Sequence, residues 1–307
     1  MKNIIKSLIL VLLSLSSNAQ QDAMVSQYMF NGLYINPAYA GSHDYWTSSL
    51  TSRHQWVSFE GAPRTFIAGV DGPIAAKNMG LGFVMMNDQI GVSTQNSIVA
   101  NYAYQLKLKE GHKLAFGASA GGSQFSARLS DLTVWDEGDE VFMNNLTSKF
   151  IPRFGFGMYY YSNNSYAGFS IPTLLGYEKG KDFNMDVSKA TFLHRHYLLT
   201  GGHIFDLNEN FKLKPSTLIK YIPNAPLQVD LNIGLLFQET FWFGTSFRTG
   251  DAVVLMAEYQ TNTFFRIAYA YDITYSELRK YSHGSHEILI GIDFGKDLVK
   301  KKTPRFF

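Results

Sequence analysis

The chain contains no cysteine, so it has no disulfide framework. Because no cysteine follows its N-terminal apolar run, we do not expect a lipoprotein. After residue 19 no apolar run reaches the 18 residues that a membrane-spanning helix needs. The net charge of +2 over 307 residues lacks the basic excess of a nucleic-acid-binding protein, so we expect no nucleic-acid partner.

Aromatic residues and glycine, in contrast, are abundant. Aromatic side chains make up 15% of the chain, with 24 Phe and 18 Tyr, and there are 26 Gly. Outer-membrane β-barrels combine aromatic girdles at the two membrane interfaces with small residues in a crowded interior. The composition therefore favours a barrel.

Residues 92–109 show the clearest period-two pattern. A strand in a soluble sheet usually has about five or six residues, whereas a tilted strand that crosses a bilayer needs roughly 9–11. The alternation here exceeds both lengths, which indicates a membrane-spanning strand. The alternating residues are Val92, Thr94, Asn96, Ile98, Ala100, Tyr102, Tyr104, Leu106 and Leu108.

The same alternation recurs along the chain. In 227–237 and 286–294 the apolar residues share one face, which we expect to contact lipid, and polar residues share the other. We predict an all-β fold, a transmembrane antiparallel up-and-down β-barrel of about 14 strands. The predicted strands are 46–59, 64–71, 79–87, 92–109, 112–126, 151–162, 165–172, 192–206, 210–222, 227–237, 240–249, 252–261, 263–273 and 286–294.

The remaining segments flank or interrupt the barrel, which we place at 46–295. Residues 1–19 have two lysines, an apolar run and small residues at the cleavage positions, which predicts a cleaved secretory signal peptide and export to the outer membrane. Residues 20–45 are broken by Pro and Gly and predict an extended N-terminal arm or plug. Residues 296–307 form a basic C-terminal tail. Two segments without alternation, 127–149 and 173–191, predict long loops.

Charged residues on the inward faces of the strands are candidates for a lumenal network. Ion pairs across the lumen would make the barrel rigid and could hold the arm as a plug. The alternative is a passive porin-like channel whose selectivity these charges set. Bulky residues among the inward-facing positions favour a filled interior. The candidate residues are Arg53, Arg153, Asp230, Arg248, Glu258, Arg266, Glu287 and Asp293.

Metal-site candidates are weak. His194 and His196 lie on one face of a strand, but no further ligand is evident nearby. His283 and His286 flank a Gly-Ser turn, where a hydrogen-bonding role is favoured. The acidic stretch 136–140 lacks the spaced ligand set of a Ca²⁺ loop. We therefore assign no metal and no cofactor.

Signals of catalysis are absent too. The glycine pairs in 80–82 and 155–157 resemble fragments of phosphate-binding loops, but they lie within strands and indicate close approach of a neighbour to the backbone. No Gly-x-Ser-x-Gly elbow or other nucleophile motif occurs. We assign no catalytic residue and predict that the protein is not an enzyme; a barrel enzyme that acts on lipids remains a third alternative.

Three segments resemble a known family. They are SQYMFNGLYINPAYAGS at 26–42, RHQWVSFEGAPRTF at 53–66 and YDITYSELRKYSHGSHEILIGIDF at 271–294. Together they resemble the PorP/SprF family of outer-membrane proteins. The resemblance implies a barrel associated with the type IX secretion system of Bacteroidota, either an apparatus component or the partner of a large surface adhesin, including gliding adhesins. It implies no active-site residues.

An extracellular loop is the candidate partner site. Apolar residues in the loop 127–149 could bind the C-terminal domain of a secreted surface protein or adhesin, because exposed aromatics ringed by polar residues are typical of interfaces. Other type IX secretion components are further candidate partners. The alternative is that the two aromatics fold back on the barrel rim. The candidate residues are Leu132, Val134, Trp135, Val141 and Phe142.

Overall fold

Fourteen long antiparallel strands form one sheet within the ranges described by the computed structural model, which are 23–74, 78–131, 145–147, 150–174, 195–223, 225–261 and 264–295. Each strand pairs with its neighbours in chain order. The strands are β1 (Trp46–His54), β2 (Arg64–Ile74), β3 (Met79–Ile90), β4 (Ser93–Lys107), β5 (Lys113–Ala127), β6 (Ile151–Tyr161), β7 (Ser165–Ile171), β8 (Tyr197–His203), β9 (Phe211–Tyr221), β10 (Gln228–Phe237), β11 (Phe241–Arg248), β12 (Ala252–Gln260), β13 (Phe265–Thr274) and β14 (Ser285–Phe294).

The sheet closes into a barrel because its first and last strands pair. Trp46 of β1 lies opposite Phe294 of β14, and His54 lies opposite His286, in one continuous antiparallel register. Closure leaves no unpaired strand edge in the hydrocarbon layer, where an unpaired backbone group would cost several kcal/mol. The predicted up-and-down barrel of about 14 strands is confirmed.

Burial alternates along the strands as the sequence pattern predicts. In β10 the exposed residues Leu231 and Ile233 alternate with buried Asp230 and Asn232. Apolar side chains thus cover the outside of the barrel, as lipid requires, and the polar residues of the strands face the lumen. None of the described helices is long and apolar enough to cross a bilayer.

The strands lie close to their predicted ranges, and β1 and β8 differ most from the predicted bounds. β1 ends at His54, not at residue 59, because Trp56 and Ser58 adopt positive φ values of 48° and 76° that a strand cannot contain. β8 begins at Tyr197 and is interrupted at Ile204, whose backbone N–H bonds to the carbonyl of Asn164 (2.8 Å) in the turn between β6 and β7. A two-residue segment, Phe205–Asp206, then resumes pairing with β9.

The two ends of the barrel differ in the length of their connections. At the end where β1 begins and β14 ends, short connections join the strands, such as 162–164 and 238–240. At the opposite end lie the longer ones, 128–150 and 172–196. We call these the turn end and the loop end. In outer-membrane barrels the short turns are periplasmic and the long loops extracellular, so the loop end faces outward.

The arm precedes β1 and folds into three short helical turns. A 3₁₀ turn (Tyr28–Phe30), a one-turn α-helix, α1 (Gly32–Ile35), and a second 3₁₀ turn (Pro37–Tyr39) follow one another. The side chain of Asn36 accepts a hydrogen bond from the N–H of Ala38 (2.9 Å) and caps the last turn. The arm is therefore compact, unlike the extended conformation that the sequence suggested.

Candidate functional site: the lumen and its N-terminal arm

The described part of the arm, residues 23–45, lies inside the barrel. At the turn end the N–H of Gly41 donates to Asp71 of β2 (3.0 Å). Midway, Ser170 of β7 donates to the carbonyl of Ile35 (2.6 Å). At the loop end the N–H of Ser26 donates to Glu287 of β14 (2.7 Å). The chain thus runs backward from β1 through the lumen toward the outer mouth.

The main hydrophobic core is formed by the arm and the inner wall together. Val25, Tyr28 and Ala38 of the arm are almost fully buried, and they belong to one apolar cluster with Ile67 and Ala115 of the strands. A barrel whose lumen is packed with its own chain in this way has an interior like that of a soluble domain.

Six residues at the loop end form what we call the Ser26 cluster: Ser26, Arg53, Asp230, Arg248, Asp272 and Glu287. Arg53 binds Asp272 (2.6 Å) and Glu287 (3.0 Å), and Arg248 binds Asp230 (3.0 Å) and Asp272 (3.4 Å). The Ser26 hydroxyl accepts from Arg53 (2.8 Å) and Arg248 (3.2 Å) and donates to Asp272 (2.8 Å). One arm residue therefore links both arginines.

The arm also donates hydrogen bonds to a carboxylate of this cluster. The two arginines bind four carboxylates in all, because Arg248 also reaches the partly exposed Asp251 (3.3 Å), so carboxylates outnumber cations. Glu287 is fully buried and accepts hydrogen bonds from the backbone N–H groups of Ser26 (2.7 Å) and Gln27 (2.9 Å). Backbone N–H groups bound to a carboxylate stabilise its charge. Without the arm, Glu287 would lose two of its hydrogen-bond donors.

The other four candidates for the lumenal network lie apart from this cluster, and all four are buried. Arg153 donates to Ser123 (3.3 Å) and Thr173 (2.6 Å). Arg266 covers Gly291 and reaches the carbonyl of Phe30 in the arm (3.4 Å). These four residues are Arg153, Glu258, Arg266 and Asp293.

Sequence reasoning did not select Asp272, Ser26 and Asp71, which all contribute to the site. Asp272 lies on the same face of β13 as Arg266, three alternations further along, so the period-two pattern could have identified it. Asp71 shares the inward face of β2 with Thr65 and Ile67, so the same pattern could have placed it in the lumen. Ser26 carried no such signal, because its role depends on where the arm lies.

Glycines provide the space for the arm. A Cβ at Gly117 would lie 2.2 Å from the backbone N of Ala38, and a Cβ at Gly80 would lie 2.0 Å from the carbonyl oxygen of Ala40. At Gly157 it would lie 2.0 Å from the side-chain oxygen of Asn36. No real Cβ comes so close to backbone atoms, so these strand positions require glycine. The close neighbour that the sequence predicted is the arm at Gly80, Gly82 and Gly157, whereas at Gly155 it is Ser119 and Pro172.

Some space remains between the arm and the wall. A small cavity of about 50 Å³ lies beside Leu33 and Tyr34 of the arm and Met86, Asn101 and Leu198 of the strands. A second cavity, of about 20 Å³, lies beside Met29, Lys214, Trp242 and Glu258. The arm therefore occupies the lumen without filling every part of it.

Two of the candidate histidines have individual hydrogen-bond partners. His283 shares a hydrogen bond with Ser58 (2.9 Å) and His286 with Tyr269 (2.6 Å), while His196 is buried in the lumen. His194 lies outside the described residues. Within the described ranges no three or more His, Cys, Asp or Glu side chains group as a metal site would require.

Several predicted segments also lie outside the described residues. They are the signal peptide 1–19, the acidic stretch 136–140, the C-terminal tail 296–307 and the candidate partner residues Leu132, Val134, Trp135, Val141 and Phe142.

Solved outer-membrane barrels resemble the fold. The outer membrane protein Omp33 of Acinetobacter baumannii is 8% identical, with a TM-score of 0.46, and the match covers 82% of this chain and 98% of that one. A FadL homologue of Pseudomonas aeruginosa is 10% identical, with a TM-score of 0.46 and coverage of 84% and 91%. The KdgM porin in complex with disordered oligogalacturonate is 10% identical, with a TM-score of 0.36 and coverage of 81% and 99%. None of the curated proteins compared with the chain matches it.

The comparison with family models assigns the chain to a family, which the comparison with solved structures does not. The three segments that resemble PorP/SprF proteins meet in the Ser26 cluster, since Ser26 belongs to the first, Arg53 to the second, and Asp272 and Glu287 to the third. The family model for the type IX secretion system membrane protein PorP/SprF matches residues 17–292. The chain therefore belongs to the PorP/SprF family, a family of outer-membrane β-barrels of the type IX secretion system.

Proposed function

We propose that this barrel is a non-enzymatic docking protein that supports the secretion or the cell-surface attachment of a partner, such as a large gliding adhesin of Bacteroidota. The partner binds through its C-terminal domain at the extracellular loops, and other secretion components are further partners. A cleaved signal peptide at 1–19 directs export. The observation that carries the proposal is the arm inside the lumen, because an occupied lumen favours a docking surface over a conduit.

The same observation weighs against the passive porin-like channel. A porin needs a continuous aqueous path lined by polar groups. Here apolar arm residues such as Val25, Leu33 and Ala38 pack against the inner wall, and the Ser26 cluster binds the arm at the outer mouth. The inward-facing charges thus support the arm instead of a permeation path.

The docking site that we propose is the loop between β5 and β6, with the apolar residues Leu132, Val134, Trp135, Val141 and Phe142 as contacts. The described base of this loop is closed. Ser130 donates from its hydroxyl to Asn145 (2.9 Å), and Ala127 pairs with Leu146. Residues 132–144 can therefore be removed while the bonded base remains.

Removal of residues 132–144 tests the docking site. We expect surface display of the partner to fall at least about tenfold, since interface hot spots contribute about 2 kcal/mol or more and 1.4 kcal/mol corresponds to tenfold. Partner on the cell surface is measured by antibody labelling of intact cells. The single substitution Trp135→Ala, which leaves loop length unchanged, should show a smaller loss in the same direction.

The control is a deletion of equal length within 175–191, the other long loop at the same end. Heat-modifiable migration on gels shows that each variant barrel is folded. Normal display after removal of 132–144, or equal loss in both deletions, would rule out this loop as the docking site.

A further inference from the structure

Three basic side chains form a row on the outside of the barrel at the loop end. His54 of β1 lies opposite His286 of β14 on one side and opposite Arg64 of β2 on the other. Neighbouring strands are about 4.8 Å apart, so this basic row spans roughly 10 Å. His54 and Arg64 are exposed, and His286 is partly exposed.

The row lies at the edge of the apolar band. Phe66 and Ile288 lie on the same outer face, two residues closer to the middle of the barrel than Arg64 and His286. Their side chains are 46% and 47% exposed. Tyr269, on that face of β13, shares a hydrogen bond with His286 (2.6 Å). Tyrosine at such a position is typical of the membrane interface. Because the loop end is extracellular, the basic row lies at the level of the outer-leaflet headgroups.

No carboxylate within the described ranges forms an ion pair with this row. Among the described residues, Arg64 and His54 have no ion-pair partner, whereas Arg53 and Arg248 in the lumen each bind at least two carboxylates. Basic groups directly opposite on adjacent strands are unfavourable unless an anion lies between them. His286 uses Nδ1 for Tyr269, which leaves Nε2 for a further hydrogen bond.

We propose that the basic row binds the phosphate groups of lipid A, the phosphorylated glycolipid of the outer leaflet. Arg64 offers the planar pair of N–H donors that suits a phosphate, and the imidazoles of His54 and His286 add further donors along the row. Phe66 and Ile288 then contact the acyl chains below. This proposal rests on the membrane location of the family and is independent of the partner that we propose.

Native mass spectrometry of the purified barrel with added lipid tests the site. The double variant His54→Asn/Arg64→Gln removes the two residues without a described partner, and Arg279→Gln is the matched control. Arg279 is exposed at the same end, in the 3₁₀ turn Glu277–Lys280, and lies outside the row. We expect diphosphorylated lipid A to bind the double variant at least about tenfold more weakly than the unmodified protein, since hydrogen bonds to charged groups are lost. The control should bind like the unmodified protein.

Two further binding measurements identify the ligand. Lipid A without its phosphates should bind the unmodified protein as weakly as diphosphorylated lipid A binds the double variant, and inorganic phosphate at equal concentration should not displace lipid A. Equal binding of lipid A to the double variant and the unmodified protein would overturn the site. Equal binding of dephosphorylated lipid A, or displacement by inorganic phosphate, would overturn lipid phosphate as its ligand. Heat-modifiable migration confirms folding of all variants.

Discussion

Arg53→Met should lower the free energy of unfolding by about 3–5 kcal/mol, because it leaves the buried Glu287 without its arginine and Asp272 with Arg248 alone. Arg53 binds Asp272, Glu287 and the Ser26 hydroxyl, and both carboxylates are almost fully buried. Urea unfolding in lipid vesicles, followed by tryptophan fluorescence, measures the change. Arg53→Lys should lower the free energy of unfolding by a smaller but measurable amount, since an ammonium group cannot reproduce the planar fork of the guanidinium.

The exposed ion pair at the same end provides the control for this experiment. Lys280 binds Glu277 at 2.5 Å, but the two side chains are 59% and 89% exposed. Such pairs contribute less than about 1 kcal/mol, so Lys280→Met should change little. If Arg53→Met and Lys280→Met had equally small effects, the buried Ser26 cluster would not stabilise the barrel.

Gly117→Ala should displace the arm from the wall. The new methyl group would lie 2.2 Å from the backbone N of Ala38, so either the arm or β5 has to move. Overpacking of this kind costs about 1–3 kcal/mol, which corresponds to a roughly 5- to 150-fold larger open population. Limited chymotrypsin digestion reports that population, because Tyr28 is buried in the docked arm and becomes accessible when the arm leaves.

Gly201→Ala is the matched substitution for this test. Gly201 lies on β8, and the nearest atom to its added Cβ is a backbone oxygen of Tyr166 at 3.7 Å, an ordinary contact. The arm of the Gly201→Ala variant should resist chymotrypsin as well as the arm of the unmodified protein does. Equal digestion of both variants would mean that the arm does not depend on the space at Gly117.

The bilayer explains why the strands could be predicted from sequence. Each spanning strand must present apolar side chains to lipid and small or polar ones to the lumen, so period two persists across its whole length. The pattern weakens where lipid no longer imposes it. β1 was therefore predicted to continue to residue 59, although Trp56 and Ser58 already turn the chain.

The lumen was less predictable for a different reason. The period-two pattern places Arg53, Asp230, Arg248 and Glu287 on the inward faces of their strands. It does not show which of these residues meet across the curved interior. Their convergence depends on closure of β1 against β14 and on a third element, the arm. No side-chain pattern reveals that the backbone N–H groups of Ser26 and Gln27 bind Glu287.

Planar-bilayer conductance tests most directly the claim that the N-terminal arm blocks the lumen of the barrel. The unmodified mature protein is compared with a variant that lacks residues 23–41. We predict little steady conductance for the unmodified protein and large channels for the variant, since the deletion removes the arm side chains packed against the inner wall. Large, steady conductance with the arm present would contradict the account.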